Sequence, residues 1–149
     1  MAAQENVALA RSLIDLYNDR QSDPAWLDKS LVAFAADAES LDAPSGATLR
    51  GPDGYKRLML FFKEALPDCR EEVTNAFATG DQVVLESSVR GANTGSRNLA
   101  TGAIPAWGRS IELRVCHVFQ IRNGKIVSHH TYYDMTTLLE QFDLAPATG

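Results

Sequence analysis

The spacing of apolar side chains changes character near the middle of the chain. From residue 7 to 17, Val7, Ala10, Leu13, Ile14 and Tyr17 share one stripe with Arg11, Asp15 and Asn18 off it, the period of an amphipathic helix. Ser22-Asp23-Pro24 reads as a second helix start, with Asp23 as N-cap and Pro24 at the first helical position. Trp26, Leu27, Leu31 and Phe34 would form its inward side. A turn-rich segment, Asp42-Ala43-Pro44-Ser45-Gly46, follows. A third helix opens at Gly51-Pro52-Asp53, presents Tyr55, Leu58, Met59, Phe62 and Leu66 on one face, and stops at Pro67.

Beyond Pro67 the period falls to two. Arg70 to Ala78 and Gln82 to Arg90 read as strands joined at Gly80-Asp81. Ile111 to Ile121 alternates most cleanly, with Ile111, Leu113, Val115, His117, Phe119 and Ile121 on one face and Glu112, Arg114 and Gln120 on the other. Asn123-Gly124 turns the chain into a strand from Lys125 to Tyr133, and a short last helix carries Leu138, Leu139 and Phe142. Between the strands, Gly91 to Gly108 is rich in Gly, Asn, Thr and Ser and includes Trp107. It reads equally well as a lid or binding loop and as a long hairpin. Helices first and antiparallel strands after predict an α+β domain with helices covering one face of a curved sheet.

Composition narrows the function more than the fold. The chain has 149 residues, 14 Lys and Arg against 19 Asp and Glu, and a net charge of −5, which suits one domain spanning 1–149. No basic cluster exists, so nucleic acid is not an expected partner. The longest apolar run, Leu58 to Phe62, is far short of the roughly 20 residues of a membrane span. Met1 to Asn6 has no basic region before an apolar stretch, so no secretory signal is expected. Cys69 and Cys116 fit neither a metal spacing nor a disulfide framework, which predicts reduced thiols and a cytoplasmic protein. His129 and His130, adjacent on a strand, point to opposite faces and cannot share a metal, so no metal site is expected.

The closing stretch His117-Val118-Phe119-Gln120-Ile121-Arg122-Asn123-Gly124-Lys125-Ile126-Val127, then Tyr132-Tyr133-Asp134 and Leu138-Leu139-Glu140-Gln141, resembles the polyketide-cyclase-like (SnoaL-like) branch of the nuclear transport factor 2-like superfamily. Leu16-Tyr17-Asn18, Leu41-Asp42-Ala43-Pro44 and Leu49-Arg50-Gly51 agree with it. The resemblance implies a conical α+β barrel, with a curved mixed or antiparallel sheet wrapped around N-terminal helices. It also implies an apolar pocket for a small hydrophobic ligand and a homodimer formed through the outer sheet face. Fold of this kind does not settle function.

The resemblance also assigns residues. His117 matches a pocket histidine of the cyclases, Asp42 the proton-abstracting aspartate of ketosteroid isomerase-like relatives, and Tyr17 a pocket aromatic. Thr131 stands where cyclases and epoxide hydrolases carry a catalytic aspartate, and a threonine hydroxyl is no base near neutral pH. Ser87 and Val89 replace further partners of the hydrolases, so epoxide hydrolysis is not expected. Asp42 and His117 are thus the expected catalytic pair. Trp26, Phe34, Met59, Phe62, Trp107, Phe119, His129, Thr131 and Tyr133 join Tyr17 as expected substrate contacts. Placing His129, Thr131 and Tyr133 on the face of His117 assumes a three-residue loop with Gly124 as bulge residue, pairing Ile121 with Lys125. A two-residue turn pairing Arg122 with Lys125 would instead put His130 and Tyr132 there. Two functions follow. One is a proton-transfer enzyme of aldol-cyclase or isomerase type that needs no cofactor. The other, favoured by Thr131, is a ligand-binding or dimeric partner domain without chemistry.

Overall fold

Six strands, in the order β2 (Ala47–Arg50), β1 (Phe34–Asp42), β8 (Lys125–Tyr132), β7 (Arg109–Arg122), β4 (Gln82–Asn93) and β3 (Arg70–Thr79), form one curved sheet that is not closed into a barrel. In chain order the elements are α1 (Ala2–Asn18), α2 (Trp26–Leu31), β1 (Phe34–Asp42), β2 (Ala47–Arg50), α3 (Gly51–Ala65), β3 (Arg70–Thr79) and β4 (Gln82–Asn93). They continue with β5 (Arg97–Leu99), β6 (Gly102–Ile104), β7 (Arg109–Arg122), β8 (Lys125–Tyr132) and α4 (Met135–Gln141). This computed structural model describes residues 2–93, 97–99, 102–104 and 109–141. Trp107 and Phe142 lie outside the described residues. Of the Gly91–Gly108 segment, Gly91 to Asn93 extend β4, with Asn93 paired to Arg109, and β5 and β6 pair with each other. The described part is a hairpin.

Alternation along the strands decides what reaches the interior. The odd positions of β7 from Ile111 to Ile121 are all buried, as are Val83, Leu85, Ser87 and Val89 of β4. Phe119, Leu85, Val83 and Ile126 are at 0% exposure, and each such side chain contributes about 1.5–3 kcal/mol by leaving water. Against this face pack Leu13, Ile14 and Tyr17 of α1 and Tyr55 of α3, from the stripes expected from their spacing; Leu58 of α3 is buried as well.

Two expectations need correction beside the start of the second helix, which lies at Trp26 with Ala25 as N-cap rather than at Pro24 with Asp23. Phe34 is not on the second helix; it opens β1, which pairs in parallel with β8 (Phe34 with Ile126). The helix stops earlier because the Ala33 carbonyl accepts the Ile126 N–H at 2.8 Å, capturing the chain for the sheet. The second correction concerns the last hairpin. Arg122 pairs with Lys125, so the turn has two residues, Asn123 and Gly124, at φ of 51° and 73°. Both lie in the left-handed region that Asn and Gly tolerate best. His129 and Thr131 nevertheless share the face of His117. The extra residue that restores this parity is in β8, where the register slips between Ile121–Ile126 and Gln120–Ser128.

Arg20 ties together the ends of two helices. Its guanidinium donates to the carbonyls of Tyr17 (2.9 Å), Leu66 (3.3 Å), Pro67 (2.8 Å) and Cys69, and lies 4.1 Å from the Tyr17 ring centroid. Carbonyls at helix C-termini are natural cation sites.

Candidate functional site

Between two apolar clusters, one built on α1, α2 and the middle of the sheet and one on Leu66, Val89, Leu113 and Leu138, lies a cavity. Leu13, Ile14, Met59, Phe62, Leu66, Val89, Leu113, Val115 and Phe119 supply its apolar wall. Its polar groups are Tyr17, Tyr55, Glu71, His117, His129, Thr131 and Tyr133.

These polar groups form a chain. His117 Nε2 donates to Glu71 Oε2 at 2.6 Å, and Ser87 Oγ donates to the same oxygen at 2.6 Å. On its other side, His117 Nδ1 lies 2.9 Å from His129 Nε2, which is also 3.2 Å from Thr131 Oγ1. The strands dictate this meeting. Leu85 and Val115 are the cross-strand partners of His117 and Ser87 respectively, and Thr131 sits directly opposite His117 on β8. Glu71 enters from β3, its backbone pinned to α1 by Asn18, which accepts the Glu71 N–H at 2.8 Å and donates to the Glu71 carbonyl at 2.7 Å.

Both members of the carboxylate–imidazole pair are buried, with side-chain exposures of 8% for His117 and 9% for Glu71. Burial pushes the Glu71 carboxyl up, but electrostatic attraction to His117 and the hydrogen bonds from His117 and Ser87 outweigh it, leaving it below its ordinary value. His129 is held well below the ordinary histidine value, first by burial and then by His117 and His130. Its ring stacks on Phe119, 4.3 Å away and 3° from parallel. Burial also pushes the Tyr17 phenol up to about 12, and raises Tyr55 and Tyr133 as well. All three therefore stay protonated hydrogen-bond donors at neutral pH. Glu71 is among the charges that raise both Tyr17 and Tyr55, which places these phenols within its electrostatic reach.

Several expected residues therefore meet at one cavity: Tyr17, Met59, Phe62, His117, Phe119, His129, Thr131 and Tyr133. Three do not. Trp26 packs edge-on against Tyr17, with ring centroids 6.1 Å apart, and Phe34 stacks on Tyr55 at 4.2 Å, so both belong to the core behind the wall. Asp42 is buried at the end of β1 outside the lining, where its Oδ2 accepts from Ser45 Oγ (2.6 Å) and from Tyr133 Oη (3.2 Å). It holds Tyr133, a lining residue of the cavity, through Oδ2, while its Oδ1 is buried with no hydrogen-bond partner among the described residues. Trp107 is outside the described residues.

Glu71, Ser87 and Tyr55 complete the site without having been expected there. The signal for Glu71 is its phase: it shares the inward set of β3 with Val73, two positions on. Thr131 replaces the aspartate that the resemblance implied on β8, and the carboxylate beside His117 comes from β3 instead.

The family model described as SnoaL-like polyketide cyclase matches residues 8–142. A solved structure from Jannaschia sp. CCS1, described as a SnoaL-like polyketide cyclase, has a TM-score of 0.82 at 19% identity, covering 97% of this chain and 95% of its own. IdmH of Streptomyces antibioticus, described as a polyketide cyclase, has a TM-score of 0.74 at 23% identity over 93% and 98% of the two chains. An epoxide hydrolase of the LEH-like type from M. tuberculosis shares the fold at a TM-score of 0.65 and 14% identity, covering 95% and 92%. No curated protein sequence matches.

Proposed function

The chain belongs to the SnoaL-like polyketide cyclase family, and from that premise we propose that it is a cofactor-independent proton-transfer enzyme, of aldol-cyclase or isomerase type, for a hydrophobic carbonyl compound. The observation that carries this reading is the buried Glu71–His117 pair at 2.6 Å on the wall of an apolar cavity. A carboxylate there is ionised at neutral pH and shielded from bulk water, so it is free to accept a proton from a substrate in the cavity.

Glu71 is the base in this reading. Its Oε2 is held by His117 and Ser87, and its Oε1 has no hydrogen-bond donor among the described residues. Glu71 Oε1 takes a proton from the carbon beside the substrate carbonyl. The C–H electron pair becomes an enolate, and the phenol of Tyr17 or Tyr55 donates to its oxygen. In an isomerisation, neutral Glu71 returns the proton to another carbon of the enolate. In an aldol closure, the enolate carbon bonds to a second carbonyl carbon and the resulting alkoxide takes the Glu71 proton. Either way the enzyme ends as it began.

The test is deuterium exchange at the α-carbon of 2-tetralone in D2O, which reads enolisation without knowledge of the product. Wild type is expected to accelerate exchange, and Glu71→Gln to lose about 100-fold or more of that acceleration. Equal exchange by wild type and Glu71→Gln overturns the assignment. The second reading, a ligand-binding domain without chemistry, has one observation in its favour: both His117 nitrogens are already engaged, as in a purely structural network. It predicts binding of 2-tetralone with no acceleration at all.

A further inference from the structure

Glu71 accepts from His117, and His117 in turn meets His129, so the direction of the first bond depends on where the protons of two rings reside. Three contacts restrict the answer. His117 Nε2 faces a carboxylate oxygen, so it carries a proton. His117 Nδ1 and His129 Nε2 are 2.9 Å apart, so one of these nitrogens carries a proton and the other does not. His129 Nδ1 is buried and has no hydrogen-bond partner among the described residues.

That last atom decides between the two arrangements. If His117 Nδ1 held the proton, the ring would be an imidazolium and His129 Nε2 the acceptor. The remaining proton of neutral His129 would then have to sit on Nδ1, as a buried N–H with nothing to receive it. If His129 Nε2 holds the proton, it donates to His117 Nδ1, with Thr131 Oγ1 at 3.2 Å as a second acceptor. No N–H is then left unpaired. The second arrangement avoids the cost of an orphaned buried donor.

We infer that His129 is a positioning residue that fixes His117 as the neutral Nε2–H tautomer, giving a one-way chain of donors from His129 to His117 to Glu71. Phe119, stacked on the His129 ring, and Thr131, beside its Nε2, hold that ring in the orientation the chain requires. The consequence for catalysis rests on the reading of Glu71 as base. The His117 Nε2–H stays directed at Glu71 Oε2, so Oε1 is the oxygen left for substrate. Thr131 then has a function of its own. A carboxylate at that position would attract a second proton onto the histidine pair, whereas a hydroxyl accepts the His129 N–H without adding charge.

The experiment has an arm that needs no turnover. In 15N-histidine-labelled wild type, nitrogen NMR is expected to show both His117 and His129 as neutral Nε2–H rings, with an unprotonated Nδ1 on each. A proton on His117 Nδ1, in a neutral or a doubly protonated ring, overturns the inference. The second arm compares His129→Phe, which keeps the aromatic stack but has no N–H, with His129→Gln, whose amide N–H can replace the donor. His129→Phe is expected to leave His117 in mixed tautomers. It should also lower kcat for 2-tetralone exchange about 10- to 100-fold with a smaller change in KM, the scale of losing a partner that orients a working histidine. His129→Gln is expected to recover most of that loss. An unchanged His117 tautomer together with unchanged kcat in His129→Phe overturns the proposal. If Glu71→Gln exchanges 2-tetralone as fast as wild type, the proton-transfer reading fails alone, because the spectra of the two rings still decide the role of His129.

Discussion

Replacing Arg20 with Met removes a charge while keeping an apolar stem of similar reach, so it isolates the work of the guanidinium. Four carbonyl oxygens lose a donor, and three of those bonds are buried. The Tyr17 ring loses the cation held 4.1 Å from its centroid. Counting about 1 kcal/mol net for each hydrogen bond and about 0.5–1 kcal/mol for the cation–π contact, the loss is about 4–5 kcal/mol. Water reaching the Pro67 carbonyl and burial of the Met methyl group reduce it to about 3–4 kcal/mol. That is a large share of the roughly 5–15 kcal/mol that stabilises a domain. Urea unfolding followed by tryptophan fluorescence measures it directly, and the melting temperature is expected to fall by about 6–16 °C at 2–4 °C per kcal/mol for a chain of this size. Arg20→Lys should fall between the two, since an ammonium lacks the planar fork that reaches several carbonyls at once. A loss below about 1 kcal/mol for Arg20→Met would refute the view that this side chain fastens α1 to the α3–β3 junction.

Stability is also expected to fall as the solution is acidified, in two windows. His129 is held below its ordinary value of 6.5, so under that pH the unfolded chain binds a proton that the folded chain refuses. Stability then drops by up to about 1.4 kcal/mol per pH unit, and urea titrations across pH should show this slope vanish in His129→Phe. Glu71 is held below its ordinary 4.5, so its contribution is complete above that pH and is lost as pH falls through the folded value; Glu71→Gln should remove this second decline. Gly91→Ala is expected to lose about 1–3 kcal/mol in the same urea assay, because an added Cβ would sit 2.6 Å from both the Asp68 carbonyl oxygen and the Cys69 Cα.

Much of the architecture could be read from periodicity, and the failures have physical causes. The inward face of β7 followed from strict alternation over Ile111 to Ile121. Strand β1 was missed because Phe34-Ala-Ala-Asp-Ala-Glu-Ser-Leu-Asp42 has no β-branched residue. What makes it a strand is parallel pairing to β8, a distant segment that no local window contains. The faces of the last hairpin came out correctly from a wrong premise. The expected bulge at Gly124 and the observed one in β8 shift the parity equally, and sequence does not reveal where a bulge falls. At the site, His117 was visible as a lone polar residue on an apolar face. Glu71 was hidden because Arg70-Glu71-Glu72 looks like a solvated run, and only the three-dimensional neighbours turn its middle member inward. Asp42 drew attention through its counterpart in the isomerases, yet it sits outside the cavity lining, with Ser45 and Tyr133 on its Oδ2 and no partner among the described residues on its Oδ1.

The parallel seam between β1 and β8 sets the order in which the molecule can be made. Asp42 pairs with Thr131 and Ser40 with His129, so a strand synthesised early must wait for nearly the last one before its hydrogen bonds close. On the ribosome, the nascent helices and β1 emerge with an uncovered apolar face, and β7 and β8, which carry all three histidines, arrive after most of the wall that surrounds them. Long-range pairing of this kind slows folding relative to local hairpins. During translation it leaves a window in which apolar surface and an unpaired strand edge are exposed to aggregation. Synonymous codon changes that slow elongation before residue 125 would lengthen that window, and the yield of folded protein would fall although no amino acid had changed.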